Sequence, residues 1–210
     1  MTKSLLLVAL AASAAFAQYR MEPAAALPEG LPAGYGAVLA AQGVRILKAD
    51  GSPAAELWFR TALPPGAAHA EDAVAFPSIP HGAMLGVIRF PSAGADRRGQ
   101  TIKPGLYTLR YSRYPMDGNH QGVAPQRDFL LLVPAAEDKD PNSLPDYAAL
   151  TEMSCKASGT PHPAVFEMEP PPADAGFPAL EQHREKDWVL NVKVGTLPLG
   201  VIVIGKSDAG

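Results

Sequence analysis

Cysteine is almost missing. Cys155 stands alone among 210 residues, so no intramolecular disulfide can form and packing alone must hold the fold. With no second thiol and no recognisable base near it in sequence, Cys155 reads as a buried thiol rather than a reactive or dimer-forming one. A basic excess is missing too: Lys and Arg number 18 against 21 Asp and Glu, a net charge of −3. Nucleic acids and anionic lipids are recognised through a basic field, so neither is an expected partner. Beyond the first residues no apolar run approaches membrane length; the run over 201–204 is only strand-sized.

The local traces of hydrolytic chemistry are also absent. There is no Gly-x-Ser-x-Gly elbow, no His-Glu-x-x-His pair, no Ser-x-x-Lys pair and no glycine-rich phosphate loop. The paired carboxylates of a glycosidase leave no such trace, but the chain is small for that work. A non-catalytic protein is therefore the expectation, since function must be argued from a site.

What is present starts with a leader. Lys3 precedes an apolar run over 5–12 that ends in small residues and Ala15-Phe16-Ala17, the pattern of a secretory signal peptide cut before Gln18. No cysteine stands at the cleavage site, so no lipid anchor is expected, and the product should be periplasmic or extracellular without membrane insertion. Residues 18–34, rich in Ala, Pro and Glu, read as a flexible leader, and 35–206 as a single domain.

The 19 glycines and 22 prolines are spread between short apolar runs, which suits many turns joining many strands. Asp50-Gly51-Ser52-Pro53 joins strands over 44–48 and 54–60 into a hairpin, with Leu57 and Phe59 on one face and Glu56, Trp58 and Arg60 on the other. An irregular stretch over 64–82 follows, then strands over 84–90 and 106–111. In the latter, Tyr107, Leu109 and Tyr111 share a face opposite Thr108 and Arg110. The continuous apolar run over 129–133 fits a central strand buried on both faces. One helix is expected over 145–157, with Pro145 at its start, Asp146 in its first turn and Gly159 beyond its end. Strands over 164–169, 188–194 and 199–204 close the chain. About eight strands and one short helix predict an all-β, two-sheet antiparallel sandwich over a barrel.

Candidate chemistry gathers in the loop over 114–122. Met116, Asp117, Asn119 and His120 place a thioether, a carboxylate, an amide and an imidazole within five residues, a set suited to a polar ligand or a metal. Arg110 is added as an anion-binding candidate, in a network that Arg113, Arg127, Asp117 and Asp128 would complete. His162 stands between Pro161 and Pro163 in a rigid turn, so His120 and His162 are the candidate ligands of a transition metal, with His81 or His183 as a third donor. Trp58, Trp188, Tyr107 and Tyr111 read as core rather than as a carbohydrate platform.

The run Ile102-Lys103-Pro104-Gly105-Leu106-Tyr107-Thr108-Leu109-Arg110-Tyr111 is similar to the Pro-Gly-x-Tyr-x-Leu-Arg strand openings of transthyretin-like and carboxypeptidase-regulatory-like β-sandwich domains. With 117–122, 128–135 and 156–165, the chain also resembles uncharacterised exported bacterial proteins. The resemblance implies an Ig-like or transthyretin-like sandwich and export, and carries over no functional residue. The expectation is an exported, non-catalytic protein that binds a small ligand or a protein partner in the cell envelope. The alternative is a metal-binding protein or metal-dependent enzyme built on the loop histidines.

Overall fold

The computed structural model describes residues 18–24, 26–67, 70–116, 126–184 and 186–207. Its elements are β1 (Tyr19–Ala24), α1 (Tyr35–Val38), β2 (Gly43–Lys48), β3 (Pro53–Phe59), β4 (Met84–Phe90), β5 (Gly94–Ala95), β6 (Thr101–Ile102), β7 (Gly105–Arg113), β8 (Asp128–Pro134), α2 (Tyr147–Ser158), β9 (Val165–Glu169), β10 (Ala179–Gln182), β11 (Trp188–Val194) and β12 (Leu197–Ile204).

Local chemistry builds the elements much as the residues suggest. At the β2–β3 turn Gly51 takes the left-handed conformation with φ +84°, and the Asp50 carboxylate accepts from the Ser52 N–H at 2.8 Å. The Ser52 hydroxyl and N–H together hold the Asp50 carboxyl below its ordinary pKa. Helix α2 starts two residues later than expected. Asp146 is its N-cap rather than a first-turn residue, accepting from Ala149 N–H at 2.9 Å, and Gly159 closes the other end with φ +67°.

The two-sheet sandwich of about eight strands does not form. Ten strands hydrogen-bond side by side in one antiparallel sheet, ordered β1-β2-β3-β4-β7-β8-β9-β12-β11-β10, and β5 and β6 make a separate two-stranded ribbon. The sheet curls until its edges β1 and β10 come into contact, giving a nearly closed barrel. Alternating polarity is the same in either architecture, because both turn one face of each strand inward. The pairing of β9 decides between them: it bonds to β8 through Phe129↔Glu167 and to β12 through Gly200↔Glu169, joining halves that a sandwich would keep apart.

Residues 19–24, within the stretch expected to be a leader, pair with β2 along their whole length, from Tyr19↔Lys48 to Ala24↔Gly43. Pro23 is tolerated because β1 is an edge strand.

The barrel interior is filled, not hollow. Val44, Ile46, Leu57, Phe59, Leu85, Ile88, Leu109, Leu130, Leu132, Phe166, Leu190, Val192, Val201 and Val203 belong to one buried cluster. Phe76 and Ile79, from the irregular stretch, close the end where β8 begins, and Asp128 fastens them by accepting from the Ala75 and Phe76 N–H groups and the Tyr111 hydroxyl. Ile102 closes the opposite end.

Much of the outer face is covered too. The chain around α1 buries Trp58, Met84 and Val87 under Tyr35 and Leu39, and α2 lays Leu150 over Phe129, Leu131, Val133 and Val165. Thus Phe129–Val133 is buried on both faces, as the continuous run required.

A candidate ligand site at the barrel seam

The residues singled out in the sequence land in different places. Asp117, Asn119 and His120 lie outside the described residues. Met116, just before them, is 71% exposed. Arg110, expected to meet a ligand, instead sits fully buried as a clamp. It donates to Asp138 through Nε and Nη2, each at 2.6 Å, and to the carbonyls of Gly82, Ser143 and Asp140. With Ser143 Oγ also within 3.1 Å of Nη2, the five N–H donors face six acceptors, so none is left for a ligand. Its partner is Asp138 rather than Asp117 or Asp128, while Arg113 and Arg127 both bond to Glu71.

His162 is exposed, and its main chain ties off α2: its N–H donates to Thr160 Oγ1 at 3.1 Å and its carbonyl accepts from Ser158 Oγ at 2.6 Å. His81 Nε2 lies 3.1 Å from Ser112 Oγ, and burial, with repulsion from Arg113, lowers its pKa. His183 sits between two carboxylates, Nδ1 at 2.5 Å from Glu169 and Nε2 at 3.4 Å from Glu181. Because the acids face opposite ring nitrogens, these three side chains do not converge on one point. Among the described residues no three His, Cys, Asp or Glu side chains form a group that could hold a metal ion. Cys155 is half-buried, and burial followed by the Glu152 charge pushes its thiol pKa up, away from reactive thiolate.

The sheet itself points to a different place. Edges β1 and β10 are not hydrogen-bonded to each other; Tyr19 and Trp188 bridge the region with rings 5.5 Å apart, edge to face. Strand β10 is only four residues long, and before it the chain turns through Phe177 and a cis Pro178. Where β10 falls short, a cavity of about 230 Å³ opens between β2–β3 and β11. Val44, Leu57, Phe59 and Val192 form its floor from the barrel core, and Phe177 and Pro178 its lip. Gly43 shapes it by necessity, since a Cβ there would lie 2.5 Å from the Leu57 carbonyl oxygen and from Trp58 Nε1.

Known proteins add nothing to this geometry. No family model, curated protein or solved structure matches the chain.

Of the two charged lining residues, Arg60 spends its guanidinium on the Ala62 and Pro141 carbonyls and Asn142 Oδ1, which leaves the exposed Lys193 as the only charge at the seam. Lys193 Nζ stands 4.8 Å from the centre of the Phe177 ring, so the lip couples an aromatic face to an ammonium. Two other cavities lie elsewhere in the fold. One of about 270 Å³ at the Ile102 end is walled by Tyr19, Lys48, Phe90, Gly94 and Ile204. The other, about 180 Å³, is bounded by Gln126, Glu167, Glu169 and Arg184, and its carboxylates Glu167 and Glu169 are engaged by Arg97 and His183.

Sequence reasoning missed the seam site because its walls come from opposite ends of the chain, 40–60 and 177–193, and each looked ordinary alone. Leu57 and Phe59 stood on one face of a strand, and Val192 and Lys193 within another, with no site role attached to any of them. No strand was expected over 179–182, so nothing in the sequence placed an edge beside these residues.

Proposed function

We propose that this chain is an exported, non-catalytic protein that binds a small, largely apolar ligand at the seam of its barrel. Export rests on the leader over 1–17, with its Lys3, apolar run and Ala15-Phe16-Ala17 ending. The binding reading rests on one observation: a concavity floored by core side chains opens at the place where the sheet does not close. Ligand sites are concave, mainly apolar and carry a few polar groups, and this one fits that description at small size.

The reading is tested by titrating the full chain with 1-octanol, a neutral apolar probe, and following backbone amide resonances. Shifts should concentrate at Val44, Phe59 and Val192, and Ala40→Phe, which fills the mouth, should weaken them by about tenfold, the worth of ~1.4 kcal/mol. Shifts confined to Tyr19, Phe90 and Ile204 would move the site to the opposite end and overturn the proposal.

A further inference from the structure

Strand β1 is an edge of the sheet, and its first residue takes part in closing the barrel. Tyr19 pairs with Lys48 at the start of the β1–β2 ladder, and its ring meets the buried Trp188 edge to face across the seam. The Ala15-Phe16-Ala17 ending places the leader cut before Gln18, so Gln18 becomes the first residue of the mature chain and Tyr19 the second. Gln18 stands outside the ladder and is exposed, and among the described residues no hydrogen bond engages its side chain.

A glutamine at the start of a chain carries its own nucleophile and electrophile. The α-amino nitrogen and the side-chain Cδ are spaced to close a five-membered ring, and a tethered pair of this kind reacts at a high effective concentration. The α-amino group titrates at about 8, so part of it is the neutral nucleophile at pH 7. Closure would be opposed by a ladder that held residue 18 extended or by a hydrogen bond that held its amide, and Gln18 has neither among the described residues.

We infer that Gln18 is a modification site, and that the mature chain begins with a pyroglutamyl lactam. The inference rests on the export reading above and on its cut. The α-nitrogen bonds to Cδ, the Cδ–Nε2 bond breaks, and ammonia leaves with the proton that the amine gives up, so no oxidant, reductant or co-reactant is required. The product has no α-ammonium, the group that exopeptidases working from the N-terminus recognise. Chain ends are where such trimming concentrates. The lactam therefore protects Tyr19, the next residue to be removed, and with it the contact on Trp188.

The full chain, expressed with its leader and purified promptly from cells and medium, is read by N-terminal peptide mass and by stepwise N-terminal degradation. The first peptide should begin at residue 18 and be lighter by one ammonia than its open form. Stepwise degradation should release nothing until a pyroglutamyl peptidase exposes Tyr19. Gln18→Ser, a change at an exposed position outside the ladder, should begin with an open amine, give its sequence at once and lose residue 18 to an aminopeptidase that leaves the unsubstituted chain intact. An open Gln18 amine would overturn the lactam and leave export and its cut standing. A mature chain that begins at another residue would overturn the lactam together with the cut, and retention of Met1 would overturn export as well.

Discussion

His81 shows how one side chain links burial to pH. Its ring is removed from water beside Ser112 and faces Arg113, and both effects disfavour the imidazolium, while its hydrogen bond to the Pro145 carbonyl and the charges of Asp146 and Glu71 oppose them with less effect. The folded pKa is therefore depressed below the ordinary value near 6.5. As pH falls through about 6.5 the unfolded chain takes up a proton that the folded chain resists, so stability falls with pH until the lower folded pKa is passed, and then levels. Urea unfolding between pH 7 and pH 5 should show this decline, and His81→Asn should flatten its share of it. A profile unchanged by the substitution would mean that other groups set the slope. The same scale explains the reassignment of Arg110: period-two alternation placed it opposite Tyr107 and Tyr111, but nothing local announced that Asp138, 28 residues on, would cover it.

At the scale of elements, capping chemistry is read most directly. Asp146 and Gly159 bracket α2 because a carboxylate that accepts an orphan N–H and a residue free to adopt positive φ are needed at opposite ends of any helix. Asp146→Ala should cost about 1 kcal/mol, measured as a shift in urea midpoint with an unchanged slope. A change in slope would instead report altered compactness. The strands over 84–90 and 188–194 were legible to the residue, since apolar or alternating runs bounded by turn residues have few other readings. β1 was not, because Pro23 and the alanines around it lower strand propensity, and only its six-residue register with β2 gives it a reason to be extended. β10 was missed for the same reason, with Leu180 its one inward apolar residue.

For the whole molecule, closure depends on side chains rather than on a backbone ladder. Tyr19 and Trp188, one from each side of the seam, bring together parts of the chain that no short-range rule connects. Tyr19→Leu should keep most of the buried area but lose the aromatic pair, destabilising the fold by ~0.5–1.5 kcal/mol. It should also promote self-association in size-exclusion chromatography, because loosened edges expose unpaired N–H and C=O groups. A variant equally stable and monomeric would show that the seam is closed by other contacts. By itself the sequence determined the all-β character, most strand positions, the hairpin turn, the helix and the inward faces, because each follows from period, propensity and turn chemistry within a few residues. Only the tertiary structure decided that the sheet is one curled barrel, that Arg110 is a clamp and that residues from 40–60 and 177–193 wall one cavity. Those facts are pairings between residues far apart in the chain, and pairing free energy depends on the whole packed arrangement rather than on any local pattern.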